Sequence, residues 1–285
     1  MARPPRNITA SIRQRLLNLA RETERDFAVV LVAYGLERLI YRVSISAHKD
    51  RFVLKGGMLV TLWTTNEDRF TRDVDFLGFG TLDAEALKQA FAEILEIGAE
   101  DGLEFDITNL TASAIREDGV YGGVRLKTAA TLGKTRIPIT VDVGFGDAIG
   151  GSRYVIEYPS LLDLPTARIR AYSPAVVIAE KFQAIVVLGL VNGRMKDFYD
   201  LWAIPRTQGV SETELAEAIS ATFERRATDI PRERPDGLSE AFTSDRQKVT
   251  QWKAYAASIN LEGVTLPGIA DDIWARLGPI CKGVA

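Results

Sequence analysis

The chain has 285 residues, of which 46% are hydrophobic and 26% charged, and its formal net charge is −3. That is the profile of a soluble globular protein of about two domains. One Cys excludes a disulfide framework and a Cys-based zinc site, and one His excludes a His-cluster metal site. Carboxylates and lysines are left to carry chemistry, and they suit hard cations such as Mg²⁺.

Near-neutral charge advertises no global affinity for nucleic acid, so any such contact needs a local basic patch. The longest uncharged stretch, Phe182 to Gly193, has 12 residues, short of the roughly 20 that span a bilayer. The N-terminal MARPPRNIT has no apolar core of a secretory signal. The expected location is the cytoplasm, with no membrane partner.

Residues 9–25 predict a helix with Ile12, Leu16, Leu19 and Ala20 on one stripe and Thr9 or Ser11 as its cap. A second apolar helix is expected over 26–43. Phe52-Val53-Leu54 reads as a short buried strand ending in Lys55-Gly56-Gly57, and Met58 to Trp63 restarts as a helix. Asp73 to Leu77 reads as a strand, 83–100 as an acidic amphipathic helix, and Leu103 to Ile115 as a further strand. A hairpin follows, Gly122–Thr128 and Arg136–Phe145 around a turn near Gly133. On its second strand Ile139, Val141 and Val143 share one face, and Thr140 and Asp142 the other. Gly150-Gly151-Ser152 reads as a loop, and the turn-rich 159–165 as a boundary. Helices are expected over 174–189, 194–204, 211–226, 239–257 and 268–281, with 229–237 a charged, Pro-rich linker. The fold class is therefore α+β: a mixed sheet with flanking helices over 1–165, then a helical domain over 166–285.

Four constellations stand out. Lys55-Gly56-Gly57 is followed after 15 residues by Asp73-Val74-Asp75. Acids at i and i+2 of a strand share a face; they repel unless a cation lies between them. The glycines let backbone approach a phosphate closely, and a helix starting there offers free N–H groups. A surface strand beside a loop would look the same. Asp142 is a lone acid in an apolar strand, which is either solvent-facing or the third carboxylate of a metal site. Arg125 and Lys127 alternate on the partner strand and either contact phosphate or lie on a solvated face. Lys181 interrupts the apolar stripe Val177, Ala184, Leu188 in a helix capped by Ser173; it snorkels, pairs with an acid or faces a ligand. In Lys196-Asp197-Phe198-Tyr199-Asp200, Asp197 falls near a helix start, where capping explains it, and Lys196 with Asp200 can form an i, i+4 pair. His48 reads as an exposed polar residue, Cys281 has no assigned role, and the acids of 83–106 read as a solvated face.

Taken together, FVLKGGMLVTLW with RFTRDVDFLGFG, then ITVDVGFGD, then AEKFQAI with GRMKDFYDLW, resemble the AbiEii/AbiGii nucleotidyltransferase-like toxins of the DNA polymerase β-like superfamily. The resemblance covers about 35–205. It implies an enzyme that, with Mg²⁺, transfers the NMP of an NTP to RNA, notably the tRNA acceptor end. It also implies a toxin of a type IV-like toxin–antitoxin or phage-defence system, opposed by an AbiEi-type winged-helix antitoxin. Carried onto this chain, Asp73 and Asp75 match the metal pair, with Asp142 in the third-carboxylate position. Gly56 and Gly57 match the phosphate-side glycines, with Lys55 beside them. Lys181 matches the helical lysine, expected on phosphate oxygens. Asp197 matches the first Asp of the downstream motif, expected at the acceptor hydroxyl. Gly57 stands where many members have Ser, and the spacer before Asp73 is longer than the common one. RNA would need electropositive surface, for which Arg3, Arg6, Arg13 and Arg15, or Arg125, Lys127, Lys134 and Arg136, are candidates. Two alternatives remain: a small-molecule or protein acceptor, and a non-catalytic NTP- or RNA-binding protein.

Overall fold

The computed structural model describes residues 8–64, 66, 68–80, 83–115, 122–146 and 154–284. Arg3, Arg6 and the Gly150-Gly151-Ser152 stretch lie outside them. Contacts divide the chain into two units: Met1–Met58 with Phe70–Gly146 and Arg153–Ala171, and Leu59–Arg69 with Asp147–Ser152 and Tyr172–Ala285.

The first unit begins with α1 (Ile8–Glu22), which buries Ile12, Leu16 and Ala20; Thr9 and Ser11 lie inside it rather than capping it. Then come α2 (Phe27–Ile45), β1 (Phe52–Lys55) and α3 (Gly57–Trp63), the last running on into the second unit. Next are β2 (Val74–Gly78) and α4 (Ala84–Leu95), which starts on an Asp83 cap and ends five residues short of the expected 100. The expected strand over 103–115 is two strands, β3 (Leu103–Phe105) and β4 (Thr111–Ile115). Between them the Asp106 carboxylate accepts hydrogen bonds from the Asn109 backbone and side chain, which turns the chain. The hairpin is β5 (Gly123–Leu132) and β6 (Thr135–Phe145), longer than expected. A second hairpin, β7 (Val155–Tyr158) with β8 (Ala167–Arg170), was not anticipated; it forms its own two-stranded sheet.

The main sheet runs β1-β2-β6-β5-β3, with β4 beside β5 as well. It is mixed: β2 and β6 are parallel and the other neighbouring pairs are antiparallel. Its apolar face carries Ile137, Ile139, Val141 and Val143, all buried. Helix α2 packs there at Gly35, where a Cβ would come within 2.9 Å of Ile139 Cδ1. Phe91 of α4 meets Phe52 edge-on at 5.1 Å between centroids. The acids of 83–106 are not all solvated: Asp101 is buried, and its carboxylate accepts from both terminal nitrogens of Arg42 at 2.5 and 3.0 Å. Burying the two charges is itself costly, and removing either one would leave the other stranded.

The second unit is helical: α5 (Pro174–Leu188), α6 (Met195–Thr207), α7 (Glu212–Arg225), α8 (Glu240–Thr243), α9 (Arg246–Ser258) and α10 (Leu266–Val284). Ser173 caps α5 as expected, and a reciprocal capping box of Ser211 and Glu214 opens α7. The expected helix over 239–257 is broken by Ser244 and by Asp245, which caps α9. Phe182 packs on Phe223, and Phe198 stacks on Phe242 at 5.3 Å. Pro174–Val191 is long and apolar enough to cross a membrane by length and composition alone. It also carries Glu180 and Lys181, and it buries Val177, Ile178, Phe182 and Ile185 in this unit.

Candidate active site

The polar face of the main sheet carries one row of charge. Lys55 on β1 is the register partner of Asp75 on β2. Asp75 is in turn the partner of Asp142 on β6, and Asp142 of Arg125 on β5. Register partners point to the same face, so four adjacent strands present a cation, two carboxylates and a second cation in line. Asp73, two residues before Asp75, adds a third carboxylate. Thr71 Oγ1 donates to Asp73 Oδ1 at 2.5 Å, which fixes that carboxylate.

Asp75 is half-buried. Burial first, then the like charges of Asp73 and Asp142, push its pKa up from 3.8 to about 6 against the pull of Lys55. The backbone around it is shaped by Gly56, whose φ is +69° and at which a Cβ would lie 2.6 Å from Asp75 Cγ. A side chain there is excluded on both counts. The Gly57 N–H points at Asp75 Oδ2 across 3.4 Å, and a Cβ at Gly57 would collide with Thr71. The Gly-Gly turn is thus cut to fit the two acids.

Asp142 is held by Arg125, whose Nε and Nη2 donate to its two oxygens at 2.7 and 2.6 Å. Lys127 is exposed one alternation further along β5, and Lys134 and Arg136 are exposed too. Among the described residues no three His, Cys, Asp or Glu side chains converge as a ready metal-ligand set. The donor set nonetheless fits a hard divalent cation. Asp73 and Asp75 offer carboxylate oxygens, burial and the neighbouring acids disfavour the ionised form of Asp75, and Gly56 keeps a side chain away from it.

In the second unit, Lys181 Nζ donates to Asp197 Oδ1 at 2.5 Å and contacts Asp200 Oδ2 at 2.8 Å. Arg69 clasps Asp200 with Nε and Nη2 at 2.9 and 2.8 Å. Lys181 therefore pairs with acids, and Asp200 pairs with Arg69 and Lys181 rather than with the exposed Lys196. Burial opposes these charges, yet Lys181 and Arg69 hold the Asp200 carboxyl below its usual range, and the two acids keep Lys181 charged. Sequence reading missed Arg69 and Thr71, and it gave Asp200 the wrong partner in Lys196. The place of Asp200 three residues after Asp197, on the same helical face, was legible in the sequence. Elsewhere His48 Nε2 contacts Glu93 at 2.8 Å, Cys281 is buried, and Arg13 stacks over Phe27.

The mixed sheet thus sets a Gly-Gly turn against an Asp-x-Asp strand, with a further Asp on the parallel neighbour, the arrangement that the resemblance to nucleotidyltransferases implies. A family profile described as "Nucleotidyl transferase AbiEii toxin, Type IV TA system" matches residues 38–272, and the chain belongs to that family of type IV toxin–antitoxin toxins. Among solved structures, JHP933 from Helicobacter pylori is similar at 16% identity and a TM-score of 0.46, over 88% of this chain and 90% of that one. A candidate nucleotidyltransferase from H. pylori is similar at 16% identity and a TM-score of 0.44, over 88% and 94%. No curated protein matches the sequence at a significant level.

Proposed function

We propose that this toxin uses Mg²⁺ to transfer the NMP of an NTP to RNA in the cytoplasm, with the tRNA acceptor end as acceptor. The observation that carries the reading is the placement of Asp75 against Asp73 and Asp142 under the Gly56-Gly57 turn. Asp73 and Asp75, with Asp142, would hold the metal. Bound there, the ion supplies Lewis-acid stabilisation of the triphosphate and of the leaving pyrophosphate.

In the reaction the acceptor hydroxyl gives up its proton to solvent as its oxygen bonds to the α-phosphorus, the bond from the α-phosphorus to the α–β bridging oxygen breaks, and pyrophosphate leaves. Gly56 and Gly57 admit phosphate close to backbone, and Lys55, Arg125 and Lys127 offer positive charge on the same sheet. Lys181 and Asp197 are included as residues required for transfer: the ammonium is held charged, and Asp197 is oriented by it. A cognate antitoxin follows from the family; an AbiEi-type winged-helix protein and a role in phage defence are part of this proposal.

The test incubates the protein with Mg²⁺, each α-labelled NTP and total tRNA, beside Asp75→Ala. Label on tRNA from one NTP, absent with the variant, is the expected result. A folded protein that binds NTP and labels no RNA would move the acceptor to a small molecule or protein. A folded Asp75→Ala protein with full activity and toxicity would overturn the site.

A further inference from the structure

We propose that Arg125 is the resident counter-ion of the carboxylate row. It holds Asp142 until a metal-bound triphosphate arrives, and the displaced guanidinium then pairs with a triphosphate oxygen. The inference rests on the nucleotidyl-transfer reading above and adds an exchange of partners to it.

Three observations carry it. Arg125 uses both oxygens of Asp142, through Nε and Nη2. Each oxygen keeps a further lone pair, but a cation bound there lies against the guanidinium charge, so metal and Arg125 compete for Asp142. The arginine is free to make that exchange: its side chain is 41% exposed against 16% for Asp142, and its neighbour across β4, Ser113, is exposed. The charge count favours it too. Asp75 feels Asp73 and Asp142 against Lys55, and Arg125 feels all three acids. A metal–triphosphate complex is itself anionic, so the guanidinium gains by moving to phosphate rather than to solvent. A plain cross-strand ion pair would stabilise the sheet and do nothing more.

The two readings separate in binding measurements that need no turnover. Titration calorimetry with Mn²⁺ alone, and with inorganic tripolyphosphate in the presence of Mg²⁺, is run on wild type, Arg125→Gln and Arg125→Lys. Arg125→Gln is expected to bind Mn²⁺ about tenfold more tightly, since a competing charge-assisted bond is gone. It is expected to bind tripolyphosphate about tenfold more weakly. Arg125→Lys keeps the charge without the two-point clasp. It is expected to tighten Mn²⁺ binding by about threefold, one step of partial relief on the same scale, and to retain tripolyphosphate affinity. It also keeps the question open to test if Arg125→Gln does not fold by circular dichroism. Mn²⁺ affinity unchanged or weakened in both variants would overturn the counter-ion role. Tighter Mn²⁺ with unchanged tripolyphosphate binding in Arg125→Gln would overturn the hand-over to phosphate. Wild type that binds no Mn²⁺ at all would instead fail the metal reading itself, which distinguishes the two.

Discussion

Asp75→Asn should make the metal-free protein more stable while removing its activity. A carboxyl whose pKa rises from 3.8 in the unfolded chain to about 6 in the folded one costs stability whenever it is ionised in both states. The rise corresponds to about 3 kcal/mol at about 1.4 kcal/mol per unit, and partial exposure brings the expectation to about 2 kcal/mol. The sign follows from proton uptake. Above about pH 6 the full cost is present; it shrinks as pH falls and vanishes below about pH 4, where Asp75 is neutral in both states. Asparagine keeps the shape and removes the charge, and the long Gly57 contact gives it little to lose. Thermal unfolding in EDTA at pH 7.5 should show Asp75→Asn melting about 4 °C or more above wild type. At pH 4.5 about a third of the difference should remain. Added Mn²⁺ should raise the wild-type midpoint and leave the variant's unmoved. A variant less stable than wild type at pH 7.5 in EDTA, or a gain independent of pH, would refute the reasoning.

Three further outcomes are expected. Gly56→Ala should cost about 2 kcal/mol or more from a left-handed backbone and the collision with Asp75; Mn²⁺ titration should show binding lost even where the protein stays folded. Asp200→Asn leaves Arg69 and Lys181 to share Asp197 and should cost about 3–5 kcal/mol by urea unfolding. Since the Asp200 pKa lies below its usual value, that loss is full above about pH 4 and fades as pH falls further. Thr71→Val removes the hydroxyl that fixes Asp73. It should change stability by about 1 kcal/mol and weaken Mn²⁺ several-fold; unchanged affinity would show that Asp73 needs no such support.

Much of this could be read from local pattern. The alternation of β6 assigned Asp142 to the polar face because period-2 burial is a property of one strand. The α5 cap at Ser173 is likewise a local interaction. The Arg125–Asp142 end of the charge row was legible in the hairpin, and the resemblance put Asp142 with the Asp73 and Asp75 pair; local pattern could not give the parallel pairing of Asp75 with Asp142, which joins strands far apart in sequence. The same holds for Arg69 and Asp200, 131 residues apart; nothing around either names its partner. Breaks inside elements were missed where one polar residue turns the chain, at Asp106 and at Asp245. The β7–β8 hairpin was missed because its strands are four residues each and partly exposed, which gives no apolar run.

The segment Leu59–Arg69, set between the glycine turn and the paired acids, belongs to the helical unit. The two units are therefore interleaved along the gene rather than joined end to end. A recombination event with one crossover, wherever placed after residue 69 and before 200, parts Arg69 from Asp200 and leaves a buried charge on each side. In this chain the helical unit is not a cassette that one cut can lift out. A replacement must bring its own segment in front of the Asp-x-Asp strand, so that strand and the helical unit are constrained to change as one piece.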